Sequence, residues 1–181
     1  MVCWRSIQSR TRILHYLFME PIPMPKDQDQ EKDIILEAQK EEYRQSLAQN
    51  IPPYYRDLFA AMLHNDPAIA NEAFDKVMFE RGLAVPYICD QYAISSYKTA
   101  ESRKMRYYCI QLLSFSGVKS GSDTIEAALS DEEASVRKEA LYAVEDLKLK
   151  NLLPMVRERL QDLNQDVRRV AQEVYDYLLS M

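Results

Sequence analysis

The sequence of 181 residues is poor in glycine, with only 3 in the whole chain. Sheet proteins and nucleotide-binding folds use glycine in tight turns and in the loops that wrap phosphate groups. Scarce glycine beside many Leu, Ala, Glu, Lys, Arg and Gln residues therefore predicts an all-α protein. The sequence also lacks any stretch near the roughly 20 apolar residues that a membrane-spanning helix requires.

Cysteine and histidine are equally scarce, at 3 and 2 residues. Cys3, Cys89 and Cys109 are odd in number and widely spread, which does not fit a disulfide framework and predicts reduced thiols in a cytoplasmic protein. His15 and His64 have no carboxylate or cysteine at metal-ligand spacing, and the sequence contains neither a phosphate-binding loop nor a nucleophile elbow. We therefore predict no enzymatic activity, no cofactor and no bound metal.

Basic residues are fewer than acidic residues in this sequence. The sequence has 23 Lys and Arg residues against 28 Asp and Glu residues, a formal net charge of −5. Dedicated nucleic-acid-binding proteins usually carry a basic excess, because neutralising phosphates supplies most of their affinity. The balance therefore disfavours a nucleic-acid partner.

The composition changes near residue 32. Pro21, Pro23 and Pro25 alternate in a segment that proline keeps extended, and the residues after it are charged and rich in Gln. We predict a flexible N-terminal extension and linker over residues 1–32 and a single helical domain over residues 33–181. The acid-free, Arg-containing start also fits a weak transit-peptide pattern or a later start codon.

Residues 33–82 predict three helices that differ from the rest of the domain. The first is amphipathic, begins near residue 33 and has Ile34 in its apolar stripe. The second covers approximately residues 54–63. The third begins at Pro67, with Asp66 as its N-cap, and ends at the next glycine.

Residues 83–181 repeat with a period of 31 residues. Two segments share an aspartate, a Val-Arg dipeptide and an alanine at identical offsets. The same step backwards reaches Met105, Arg106 and Cys109, which keep the apolar, basic and small characters, whereas Ala100 replaces the aspartate. A period of this length indicates stacked helix pairs that bury each other's apolar faces. The matched positions are Asp131 with Asp162, Val136 with Val167, Arg137 with Arg168, and Ala140 with Ala171.

One position distinguishes the last repeat from the others. Ile110, Leu141 and Gln172 occupy the same slot, and only the last is polar. A polar residue there is typical of a terminal repeat whose outer side faces water. The sequence thus predicts that the array ends with this repeat.

The spaced Asp, the Val-Arg-x-x-Ala pattern and the Leu-Leu-Pro at residues 152–154 resemble the HEAT repeat family, in the short bacterial form called PBS-lyase HEAT-like. The resemblance covers residues 83–181, with a weaker match at residues 65–73. It implies an α-solenoid in which residues 83–181 form three repeats, each a pair of antiparallel helices. This architecture hosts many functions.

The aspartates and arginines of the repeat have two interpretations. An aspartate in the turn before a helix can accept unpaired backbone N–H groups, and an arginine in the first turn can reach an aspartate of its own or an adjacent repeat. The resemblance implies that these residues form a structural ladder between repeats, and the alternative is a row of arginines that binds an anion. The residues are Arg106, Asp131, Arg137, Asp162 and Arg168.

The predicted binding surface lies on the second helix of each pair. The stripe opposite the inward apolar stripe is mostly polar and contains two tyrosines, which are favoured in binding surfaces because they combine large area with a hydroxyl. The alternative is that both tyrosines only cover neighbouring helices. The candidate binding residues are Tyr107, Gln111, Lys138, Tyr142 and Arg169.

These patterns favour a cytoplasmic, non-enzymatic scaffold or adaptor that binds another protein through a helical-repeat surface. The resemblance implies one alternative, a subunit or chaperone of phycobiliprotein chromophore attachment with a tetrapyrrole or its carrier protein as partner. A second alternative is a HEAT-like protein that binds nucleic acid, which the acidic balance opposes. The oligomeric state is left open.

Overall fold

A computed structural model describes residues 28–181, with side chains from residue 32 onward. The extension and linker predicted for residues 1–32 lie almost wholly outside the described residues. Between residues 28 and 181 the regular structure is helical and contains no β-strand. The helices are α1 (Gln28–Asn50), α2 (Pro53–Met62), α3 (Pro67–Phe79), α4 (Val85–Ile94), α5 (Ala100–Ser116), α6 (Ser122–Ala128), α7 (Ala134–Asp146), α8 (Leu153–Arg159) and α9 (Gln165–Ser180).

Helix α1 spans the border between two compact units, the first ending at Glu42 and the second beginning at Tyr43. The predicted helix is present, but its apolar stripe is not buried. Ile34 and Ile35 are 60% and 51% exposed. The physical reason is their spacing: Ile34, Ile35 and Leu36 are consecutive, so they point around the helix instead of along one face.

In the second unit, α2 to α9 form four successive helix pairs, in which the second helix of each pair packs on the second helix of the next. The sequence pattern predicted the last three pairs, and α2–α3 adds one before them. Val136 and Val167 are both fully buried, and Met105 is 2% exposed. The stacked, all-α architecture predicted from the 31-residue period is therefore confirmed.

Local sequence signals set several helix starts. Asp66 accepts the N–H of Ala68 at 2.9 Å, and Pro67 follows it at the first position of α3, as predicted. Asn164 caps α9 in the same manner by accepting the N–H groups of Asp166 and Val167. These caps fix where the second helix of a pair begins and therefore where the preceding turn presents its side chains.

The 31-residue period also governs the connections between pairs. Helix α5 is followed by Gly117 with a φ of 71°, and α7 by Lys148 two residues after Asp146 with a φ of 53°. A residue with a positive φ ends a helix and turns the chain. Gly117 is followed by a 3-10 turn at Lys119–Gly121, and Lys148 by one at Lys150–Leu152. Two consecutive junctions thus share one backbone geometry.

Candidate functional site

Two buried arginine–aspartate pairs join consecutive helix pairs. Arg106 donates from Nε to Asp131 Oδ2 at 2.7 Å and from Nη2 to Oδ1 at 2.9 Å. Arg137 makes the same two bonds to Asp162, at 2.8 Å and 2.7 Å. In each case the arginine reaches an aspartate 25 residues further on, in the turn of the next pair. We call each such bidentate pair a rung.

The rung aspartates also close their own turns. Asp131 accepts the N–H of Glu133, and Asp162 accepts that of Asn164, both at 2.9 Å. These N–H groups precede the helices, so the aspartates order the turn rather than cap the helix. Burial raises the pKa of Asp162, but the hydrogen bonds from Arg137 and Asn164 lower it, and the net pKa lies below its ordinary value.

The remaining ladder residue, Arg168, makes half of a rung. Its Nη1 donates to the backbone carbonyls of Asp162 at 2.6 Å and Leu163 at 3.0 Å. Arg137 Nη1 binds the equivalent carbonyls, those of Asp131 and Glu132, at 2.8 Å and 3.0 Å. The arginines therefore share one orientation, but among the described residues Arg168 has no aspartate in the position that Asp162 takes for Arg137.

The predicted binding residues meet in two groups on the second helices. Gln111 Nε2 donates to Tyr107 Oη at 3.0 Å within α5, and both side chains lie close enough to Glu139 on α7 to lower its pKa. Glu139 was not among the predicted binding residues, although it lies beside both Tyr107 and Gln111. Lys138, its neighbour in the chain, acts on Glu139 electrostatically.

The second group crosses from α7 to α9. Tyr142 lies near Arg169, whose Nη1 donates to Glu173 at 2.7 Å. Arg169 and Glu173 are more than half exposed, so this contact is screened by water. Tyr107 and Tyr142 are both half-buried, so each combines packing against neighbours with an accessible edge.

A groove of about 250 Å³ opens between α3 and α5. Phe74 lines it and contacts the rings of Tyr108 and Phe115, with centroids 5.7 Å and 6.2 Å apart in edge-to-face geometry. Tyr108 is half-buried and lines this groove. The lining residues are Ala70, Asn71, Phe74, Tyr108, Gln111 and Phe115.

Phe115 was missed by the sequence argument and is 53% exposed. The repeat gave no signal for it. Asp146 and Tyr177 occupy the slot of Phe115 in the next two repeats, and Glu139 and Val170 occupy that of Tyr108. Because these slots keep no constant character, the 31-residue period could not single out the groove aromatics.

Two carboxylates of α7 lie against α5, the helix that forms one side of the groove. Burial raises the pKa of Glu139, although the nearby Tyr107 and Gln111 side chains oppose that shift. Asp146 accepts the hydroxyl of Ser114 at 2.5 Å. Glu139 is thus linked to the groove through Gln111, which lines it, and Asp146 binds α5 at Ser114.

The groove has the general form of a binding site. An apolar concavity with a few polar groups at its edge is the usual form of a ligand site. Between residues 32 and 181 no cluster of three or more His, Cys, Asp or Glu side chains is placed to hold a metal ion. None of the helices in the described part is long and apolar enough to cross a membrane.

Comparison with known proteins gives one finding. Residues 93–176 match the model of the family described as HEAT repeats, which confirms the predicted resemblance at that level. No curated protein and no solved structure matches the chain. The narrower PBS-lyase type, and with it a function in chromophore attachment, stays a prediction. HEAT repeats are commonly protein-interaction scaffolds and typically not catalysts, and over residues 93–176 this chain is similar to them.

Proposed function

We propose that this protein is a non-enzymatic adaptor that binds a segment of another protein in the groove between α3 and α5. The observation that carries the proposal is an open groove lined by three aromatic side chains on a helical-repeat surface, with two carboxylates on the next helix pair lying against α5. Apolar anchors inserted into such grooves supply much of the affinity in protein complexes. HEAT repeats generally mediate protein interactions, which supports this class of partner.

The groove and its edge define the chemistry of the bound segment. Phe74, Tyr108 and Phe115 offer ring surface to one aliphatic or aromatic side chain. Glu139 and Asp146 have neutral groups beside them: Tyr107 and Gln111 lie near Glu139, and Asp146 accepts the hydroxyl of Ser114. Their negative charge is therefore available to a Lys or Arg of the partner. We propose a segment with an apolar residue followed closely by a basic one.

The same charges support a protein partner over a nucleic acid. Carboxylates beside the groove repel phosphates, and the net charge of −5 has the same sign. The proposal includes a cytoplasmic setting, as predicted from the cysteines. Cys89 and Cys109 are free, and burial raises the pKa of both thiols, which keeps the reactive thiolate scarce.

Affinity capture from cells of the native host, followed by mass spectrometry, tests the proposal. The wild-type chain and Phe115→Ser are immobilised in parallel. We expect a partner that the wild type retains and the variant loses, because truncating a central aromatic anchor typically costs about 2 kcal/mol or more of binding. A synthetic peptide covering the contacted segment should then bind more weakly at high salt.

Phe79→Ser is the matched control, since Phe79 is 76% exposed and lies outside the groove. It should retain the partner at the wild-type level. Equal capture by wild type and Phe115→Ser, or a partner segment without a basic residue, would contradict the proposed site. Circular dichroism of both variants verifies that the fold is retained.

A further inference from the structure

The connections between successive helix pairs lie side by side along one edge of the second unit. Val118 lies against Gly82, since a Cβ placed on that glycine would be 3.6 Å from both Val118 methyl groups. In the next step along the edge, Lys119 Nζ donates to the backbone carbonyl of Lys148 at 3.4 Å. The three connections are residues 80–84, 117–121 and 147–152.

This edge is basic, although the protein has a net charge of −5. Its three connections contain four basic residues and one acidic residue. The helices of a pair are antiparallel, so the connections within pairs lie at the opposite edge, and these contain five acidic residues and one basic residue. We call the first of the two the basic edge. Its basic residues, all exposed, are Arg81, Lys119, Lys148 and Lys150.

Two of these basic residues hold a backbone conformation that favours glycine. Arg81 has a φ of 48° and Lys148 a φ of 53°, and they are the two non-glycine residues with a positive φ in the described part of the chain. Glycine or asparagine is the usual residue at such a helix end. The strain is therefore found where cationic side chains are exposed, which favours a function for those charges.

Large apolar side chains protrude beside the charges. Phe79 is the last residue of α3 and Leu83 lies in the connection that follows, and they are 76% and 75% exposed. Neither lines the groove between α3 and α5. An apolar anchor of a protein partner requires a concave pocket, whereas a bilayer accepts side chains that project from a surface. Projecting apolar groups among cations are typical of a membrane-contacting surface.

We propose that the basic edge docks this protein on an anionic lipid bilayer, with Phe79 and Leu83 entering the interface and the basic side chains contacting acidic headgroups. Charge complementarity supports this occupant, because anionic lipids attract basic residues that lie within a Debye length of the surface. The same orientation directs the acidic edge away from the membrane, which repulsion between like charges favours. The protein then lies on the bilayer and does not cross it.

Flotation of the purified full chain with lipid vesicles tests this proposal. Vesicles of equal parts phosphatidylcholine and phosphatidylserine are compared with vesicles of phosphatidylcholine alone. We expect binding to the anionic vesicles that weakens as the salt concentration rises. Lys119→Gln combined with Lys150→Gln should lower the affinity roughly tenfold or more, since each basic residue near the surface contributes about fivefold.

The apolar contribution is tested by Phe79→Ser combined with Leu83→Ser. This pair should also lower the affinity roughly tenfold or more, because the apolar area that enters the interface is lost. Leu163→Ser and Lys98→Gln are the matched controls at the opposite edge. Leu163 is 99% exposed and the Lys98 side chain 86% exposed, and both variants should bind as the wild type does. Circular dichroism verifies that all variants are folded.

Tryptophan quenching measures insertion directly. Phe79→Trp and Leu163→Trp are mixed with the same anionic vesicles made from lipids with brominated acyl chains, which quench a tryptophan that reaches them. The wild-type chain has one tryptophan, and its signal serves as the background. We expect additional quenching for Phe79→Trp and none above the background for Leu163→Trp.

Four results would overturn the proposal. They are no binding to anionic vesicles, equal binding to both kinds of vesicle, an affinity unchanged by Phe79→Ser with Leu83→Ser, and binding of poly(U) RNA by the same lysines in preference to vesicles. The partner of the groove takes no part in these assays, because the purified chain is used alone. Failure of the membrane contact and failure of the proposed groove are therefore distinguishable.

Discussion

At the scale of single residues, each rung is held by two hydrogen bonds and is sensitive to the loss of either partner. Each guanidinium and each carboxylate is largely removed from water, with the Asp131 and Asp162 side chains 5% and 4% exposed. A bidentate pair of this kind adds modest net stability when intact, because desolvating the charges offsets their attraction. Removing one partner leaves the other charge buried without compensation.

Asp162→Ala should therefore lower the free energy of unfolding by about 3–5 kcal/mol at neutral pH. Asp57→Ala, at an exposed position, should change it by less than about 0.5 kcal/mol. Urea titrations followed by circular dichroism measure both values. A loss below about 1 kcal/mol for Asp162→Ala would show that the rung is not a structural element.

The same residue predicts a pH dependence with a defined sign. The folded-state pKa of Asp162 lies below its ordinary value, so its contribution is present above the unfolded pKa, near 3.9. It is lost as the pH falls through the lower, folded-state pKa. The difference between wild type and Asp162→Ala should therefore shrink in strong acid.

The pH dependence of stability that we expect from Glu139 has the opposite sign to that from Asp162. Its pKa is raised by burial, so the folded state disfavours the ionised form that prevails at neutral pH. Glu139→Gln should stabilise the protein at pH 7, and the gain should disappear below the unfolded pKa, near 4.3. Urea titrations at pH 4 and pH 7 measure this. A destabilised Glu139→Gln at pH 7 would mean that the charge serves the fold and not a partner.

At the scale of helices, the repeat could be recognised in the sequence because equivalent buried positions require the same type of residue. Val136 and Val167 must both fill the space between the helices of a pair, so the same residue type recurs 31 places apart. The arginine and aspartate of each rung recur for the same reason. Sequence alone left open which repeat each aspartate would meet, since that depends on how consecutive pairs pack.

The groove could not be predicted from the sequence in the same way. It lies where the repeat is interrupted: α3 contains no arginine, and the turn at residues 95–99, before Ala100, contains no aspartate. Phe74, Tyr108 and Phe115 come from two helices that no common motif relates. Their proximity follows from the packing of α3 on α5, which a periodic pattern does not specify.

At the scale of the second unit, the junctions between helix pairs differ in strength. The last two junctions have a rung, whereas the junction between α2–α3 and α4–α5 has none and opens into the groove instead. In a linear array, stability is close to the sum of each pair's own contribution and its nearest-neighbour interfaces. Local opening should therefore begin at the junction without a rung.

Native-state hydrogen exchange can measure this order. We expect amides of α2 and α3 to exchange at lower opening free energies than those of α6 and α7, which lie between two rungs. Arg137→Leu removes the last rung, so the amides of α9 should then lose protection while those of α3 keep theirs. Uniform protection across all four helix pairs, in both the wild type and Arg137→Leu, would show that the pairs unfold as one cooperative unit. The groove between α3 and α5 could then not open independently of the other junctions.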